Sequence, residues 1–132
     1  MRVRKGYKAL LAEAEAVVET LPVAQALPLH GDDGVVFVDL RDPREIQREG
    51  RIPGSFSCPR GMLEFWIDPE SPYAKTVFSE PKRFVFYCAS GWRSALAART
   101  AQEMGLERVA HIGGGFTAWR DAGGAVEMPA PR

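Results

Sequence analysis

Apolar positions along the chain fall into two kinds of run. Residues 35–40 (VVFVDL) and 84–88 (FVFYC) are apolar on consecutive positions, as strands buried on both faces of a parallel sheet are. Residues 109–112 form a shorter run of this kind and residues 55–58 a weaker one, while residues 17–20 read as a brief edge strand. The stretches between them are helical in character. Residues 7–16 are rich in Ala, Leu and Glu. Pro22 opens a second helix through about Leu27, and Pro43 opens a third with Asp42 as its N-cap. Residues 61–67 (GMLEFWI) predict a helical turn, and residues 93–104 a long helix stopped by Gly105. Residues 116–121 predict a last helix. Gly31-Asp32-Asp33-Gly34, Ile52-Pro53-Gly54 and the DPESPY segment mark turns or loops.

Five strands alternating with helices predict an α/β fold, a parallel sheet covered on both faces in three layers. The chain has 132 residues and carries no repeat, linker or low-complexity block, so one domain over 1–132 is expected. Residues 1–16 then form an N-terminal helical extension and 128–132 a loose tail. Seventeen basic and seventeen acidic residues balance to a formal net charge of zero, which argues against a broad nucleic-acid or membrane-binding surface. Met1-Arg2-Val3-Arg4-Lys5 is followed by a segment carrying Glu13, Glu15 and Glu19, which reads as neither a signal peptide nor a membrane span. The two cysteines, Cys58 and Cys88, do not make a disulfide framework at this length and read as thiols of a reducing compartment. A cytoplasmic location is the expectation.

One loop carries the candidate chemistry. Cys88 ends the most apolar strand, and Ala89-Ser90-Gly91-Trp92-Arg93-Ser94 leads directly into a helix. A thiol there faces helix N–H groups that lack intrahelical partners, at the positive end of the helix dipole. That setting favours thiolate over thiol and attracts anions. Arg93 adds positive charge, Gly91 lets the backbone curl around the sulfur, and Ser94 can cap the helix or donate to a charged sulfur. A strand-end cysteine is commonly just a small core side chain. A buried thiol alone has no need of the Gly-containing turn, the Arg and the helix that follow.

These residues resemble the active-site loop of the rhodanese family, CASGWRS having its Cys-x-x-Gly-x-Arg-Ser form. FVDLRDPREIQREGRIPGSF is similar to the family's first signature, an Asp-x-Arg strand end followed by an Ile-Pro-Gly turn. HIGGGFTAWRDAGGAVE is similar to its closing Gly-Gly-x-x-x-Trp segment. The resemblance runs from about 17 to 127 and implies a five-stranded sheet in the order 1-5-4-2-3. It departs at Arg51, where the family often has His, and in residues 59–82, longer than a minimal rhodanese needs and placed where they could wall the pocket.

By resemblance, Cys88 is the nucleophile of a sulfurtransferase. It takes a sulfane sulfur from a small anion such as thiosulfate and passes it to a thiol, to cyanide or to a protein, with no metal or organic cofactor. Residues 89–94 would bind the anion. Asp39 and Arg41, at a strand end facing the pocket side, read as an ion pair that orients the loop. Arg60 and Glu64 could contact substrate or simply be solvated. Trp92 is expected to face solvent. Trp66 and Trp119 are expected to pack, Cys58 to be buried, and His30 and His111 to be structural. Neither nucleic acid nor a membrane is expected as a partner. Two other readings stay open: an arsenate reductase or phosphatase on the same fold, whose loop would be Cys-x5-Arg with one residue more than here, and a non-catalytic module that senses oxidants or binds a partner.

Overall fold

The computed structural model describes residues 1–131. Its elements are α1 (Tyr7–Val17), β1 (Glu19–Leu21), α2 (Val23–Ala26), β2 (Val35–Asp39), α3 (Pro43–Glu49), β3 (Phe56–Ser57), α4 (Leu63–Ile67), β4 (Arg83–Tyr87), α5 (Trp92–Met104), β5 (Val109–Ile112) and α6 (Gly115–Asp121). Every strand pair is parallel and the order is β1-β5-β4-β2-β3, as the resemblance implied. Short 3-10 turns follow α2, precede α4 and span Thr76–Ser79. The last of these lies beyond the DPESPY loop, in a stretch to which the sequence pattern assigns no element.

Alternation along the central strands divides the core in two. Phe84 and Phe86 of β4 join Val38, Leu63, Ile67, Phe78 and the Ala97-Ala98-Ala101 face of α5 on one side. Val85 and Tyr87 join Phe37, Ile52, Phe116 and Trp119 on the other. α1 and α4 pack on α5, and α2 packs on α6, which gives the three layers. Burying a side chain of this size contributes roughly 1.5–3 kcal/mol, so β4, covered on both faces, is the best-anchored strand.

Asp42 caps α3 by accepting from the Arg44 N–H, and Glu45 closes a capping box by accepting from the Asp42 N–H. β3 is only two residues long. Its flanking residues instead fix the neighbouring loop, the Cys58 N–H donating to the Asp39 carbonyl at 2.8 Å and the Arg60 N–H to the Leu40 carbonyl at 3.1 Å.

Where the sequence suggested that residues 59–82 could wall the pocket, the structure shows part of the segment serving the core. Leu63, Ile67 and Phe78 are apolar and turn into the core, with Phe78 packing edge-on to Phe56 at 5.8 Å and tilted against Phe84 at 5.5 Å. This draws the segment down one face of the sheet to its amino-terminal end. There it lines a cavity of about 590 Å³ with Phe84, Leu106 and Arg108. Contacts at and just before the 128–132 segment reach α3 and its exit. Arg51 and Glu127 pair as an antiparallel bridge and as an ion pair at 3.1 Å, and Gln47 donates to the Ala130 carbonyl. Arg132, the last residue of that segment, lies outside the described residues. Among the described residues, no helix is long and apolar enough to cross a membrane.

Candidate active site

Cys88 follows β4 at its carboxyl end and begins the turn into α5. Gly91 has φ +105°, a left-handed conformation that strains any side-chain-bearing residue, and this bends the turn back over the sulfur. The Gly91 N–H donates to Cys88 Sγ at 3.2 Å and the Ser94 N–H at 3.4 Å, while the Cys88 thiol donates to Ser94 Oγ at 3.6 Å. Two amides and a hydroxyl therefore surround one sulfur at the start of a 13-residue helix. The two amide dipoles stabilise negative charge on that atom, each such bond to a charged group being worth roughly 1.5–3 kcal/mol.

The turn is clamped from behind by the start of α6. The Phe116 N–H donates to the Cys88 carbonyl at 2.8 Å and the Thr117 N–H to the Ala89 carbonyl at 3.2 Å. Gly115 makes this approach possible, since a Cβ there would lie 2.5 Å from the Cys88 carbonyl oxygen. The triple glycine 113–115 is thus the support of the cysteine loop as well as a turn.

Arg93 is near the sulfur but is not a free cation. Its guanidinium holds Glu45 end-on, at 2.7 Å and 3.0 Å, and this bond lowers the Glu45 carboxyl below its usual range and raises Arg93. The D-x-x-E spacing marks Glu45 as a capping-box residue, but nothing local in the sequence signals its bond to a residue 48 positions away.

Asp39 and Arg41 form the expected pair, fully buried. Arg41 Nε and Nη2 donate to the two Asp39 oxygens at 2.9 Å and 2.8 Å, and Nη2 also reaches the Gly50 carbonyl at 2.7 Å. The guanidinium lies 4.3 Å from the Phe116 ring centroid, so the pair braces the α3 exit against α6 beneath the loop. Arg60 and Glu64 bond each other at 3.0 Å, and Arg60 also reaches Thr100 at 3.5 Å, which places them alongside α5, two turns below the cysteine loop.

Trp92 is 55 % exposed yet not isolated, its ring 5.0 Å from that of Tyr7 on α1. Trp119 is buried and donates to the Ala125 carbonyl, and Trp66 packs on Phe56. Cys58 is buried and desolvation pushes its thiol up to about 12. His30 bonds the Pro53 carbonyl oxygen through Nε2 between the rings of Phe37 and Trp119. His111 is buried beside the cysteine loop. Its Nδ1 is 2.9 Å from Ser94 Oγ, which joins it to the Cys88 site across a separation of 17 residues that no sequence spacing reveals.

The family model for the Rhodanese-like domain matches residues 23–122. Thiosulfate sulfurtransferase GlpE of Pseudoalteromonas translucida is 35% identical over 103 residues, which cover 77% of this chain and 89% of that protein. The thiosulfate sulfurtransferase/rhodanese-like domain-containing protein 3 of Mus musculus is 31% identical over 90 residues, covering 64% of this chain and 57% of that protein. A solved structure from Rhodopseudomonas palustris, a protein of unknown function described as a possible tyrosine phosphatase, superposes with a TM-score of 0.94. It is 66% identical and covers 96% of this chain and 98% of its own.

Proposed function

The chain belongs to the rhodanese-like domain family, and from that premise we propose that it is a sulfurtransferase that carries sulfur as a persulfide on Cys88. The observation that carries this reading is the convergence of the Gly91 N–H, the Ser94 N–H and the Ser94 hydroxyl on one buried sulfur. In the first half-reaction the Cys88 thiolate attacks the outer sulfur of a donor such as thiosulfate. A new S–S bond forms, the donor's S–S bond breaks, and sulfite leaves with the electron pair. In the second, a thiol, cyanide or protein acceptor attacks the outer sulfur of the persulfide, and the Cys88 thiolate is released. The loop amides hold the charge on the sulfur through both steps. Arg93, fixed by Glu45, presents its remaining N–H groups and its charge to the incoming anion. A cytoplasmic site of action fits the two free thiols.

The description of the Rhodopseudomonas palustris relative favours a second reading, an oxyanion enzyme such as a phosphatase. Two features weigh against it. Only four residues separate Cys88 from Arg93, which makes a ring suited to a sulfur more than to a tetrahedral phosphate. The Arg93 fork, which a phosphatase would hold open for phosphate oxygens, is filled by Glu45.

Incubation with thiosulfate followed by intact mass decides between them. Sulfur transfer predicts a gain of about one sulfur atom in wild type and Cys58→Ala and none in Cys88→Ala, with no turnover of an aryl phosphate. Turnover of the aryl phosphate without a mass gain would replace this reading with the second.

A further inference from the structure

Ser94 Oγ stands between two groups that it cannot serve in the same way. It is 3.6 Å from Cys88 Sγ and 2.9 Å from His111 Nδ1, and the other ring nitrogen, Nε2, is 2.9 Å from Thr20 Oγ1. Ser94 and His111 are 0% and 1% exposed, whereas Thr20 is exposed on the edge strand β1. A line of side chains therefore runs from the buried sulfur to the surface. A hydroxyl has one proton and a neutral imidazole one N–H, so two arrangements satisfy every member. With a thiol, S–H donates to Ser94, Ser94 to Nδ1, and Nε2–H to Thr20. With a thiolate each bond reverses: Thr20 donates to Nε2, Nδ1–H to Ser94, and Ser94 to the sulfur.

We propose that His111 is a positioning residue for Cys88, which changes the ring nitrogen that carries its proton and so turns the Ser94 hydroxyl from acceptor of the thiol proton into donor to the thiolate. The proposal rests on Cys88 as the reactive thiol and not on which group that thiol transfers. On ionisation the S–H bond breaks and its proton bonds to Ser94 Oγ. The former Ser94 proton bonds to Nδ1, the Nε2 proton bonds to Thr20 Oγ1, and the Thr20 hydroxyl proton leaves to a water molecule. One proton departs, one negative charge appears on the sulfur, and His111 is neutral before and after.

The surroundings of the ring suit a tautomer change better than a charge change. Thr20 faces it from β1, Ser94 from α5 with Cys88 behind, and Phe86 occupies the paired position on β4. None of these brings a fixed positive or negative charge. The ion pairs that these elements carry, Glu19 with Arg83, Arg93 with Glu45, and Arg99 with Glu103 and with Glu13 of α1, are bonded to each other and not to the ring. Burial alone lowers the ring's basicity to about 4, so the imidazole stays neutral where a thiol titrates.

The test is ¹⁵N NMR of histidine-labelled protein from pH 5 to pH 9, read beside the pH dependence of Cys88 alkylation by iodoacetamide. His30, whose Nε2–H must donate to a carbonyl oxygen, is the fixed-tautomer reference. The expected result is that the His111 proton moves from Nε2 to Nδ1 with the same midpoint as Cys88 alkylation, without imidazolium, and that Cys88→Ala abolishes the move. Ser94→Ala is expected to raise the alkylation midpoint by about one pH unit, a tenfold loss of thiolate below it. A single His111 tautomer across the Cys88 titration, a switch that persists in Cys88→Ala, or an unmoved midpoint in Ser94→Ala would overturn the proposal. Because tautomer and alkylation are read directly, a failure of sulfur loading leaves the test intact.

Discussion

Cys58 and Cys88 occupy equivalent places and meet opposite fates. Each follows the carboxyl end of a parallel strand, β3 or β4, and each is buried, at 0% and 1% exposure. Burial therefore does not separate them; the residues that follow do. Cys58 runs into Pro59, which has no N–H to offer, and a three-residue 3-10 turn. Among the described residues its sulfur finds only the Pro59 carbonyl at 4.0 Å, and desolvation holds the thiol protonated. Cys88 runs into a left-handed glycine and a long helix, and amides from Gly91 and Ser94 reach its sulfur. The comparison shows that an apolar strand supplies depth, while the turn after it decides whether a thiol can carry charge. Cavity size is no guide either. The 590 Å³ cavity lies at the far end of the sheet, lined by apolar and surface-charged residues with no cysteine or histidine among them.

The largest expected effect is on the nucleophile itself. Cys88→Ala should lower thiosulfate turnover at least ~10³-fold, since no second group can form the covalent intermediate. Next comes the support of the loop. Gly115→Ala places a Cβ against the Cys88 and Ala89 backbone at a φ of +60°, whereas Gly61→Ala near Cys58 meets nothing within 4 Å. Denaturant unfolding should show a loss of about 4 kcal/mol for Gly115→Ala, from strain and overpacking together, and a change within about 0.5 kcal/mol for Gly61→Ala.

A third effect belongs to the Cys88 side alone. His111 has its folded-state basicity lowered to about 4 from the ordinary 6.5, so the unfolded chain takes up a proton that the folded chain refuses. Its contribution is fully present above about pH 6.5 and is lost as pH falls toward 4, roughly 3 kcal/mol in all. Urea unfolding from pH 7 to pH 4 should therefore fall less steeply, by up to one proton, in His111→Asn than in wild type. The smallest effect is at the other cysteine. Cys58→Ala should leave sulfur loading within about twofold, its cost appearing as lost packing alone.

Much of this arrangement was legible along the chain, because it is local. Consecutive apolar positions at 35–40 and 84–88 set the central strands, and Asp42-Pro43 and Gly105 marked helix ends that the structure reproduces. The Cys-to-Arg loop is contiguous, so its glycine, its helix start and its charge could be read together. What escaped was long-range. Glu45 meets Arg93 across 48 residues and His111 meets Ser94 across 17, each on a different element, and pairing of that kind depends on sheet order and not on local pattern. The path of residues 59–82 was also hidden, since Leu63, Ile67 and Phe78 could serve a pocket wall or a core equally well until the sheet face they cover is known.

Both cysteines can be made to compete within one molecule. Wild-type protein loaded with thiosulfate, alkylated and digested with trypsin yields residues 52–60 with Cys58 and residues 84–93 with Cys88 as separate peptides. The account predicts the added sulfur on the 84–93 peptide and none on the other. Sulfur on the 52–60 peptide, or on neither, would contradict the claim that the Cys88 loop is the sulfur-carrying site.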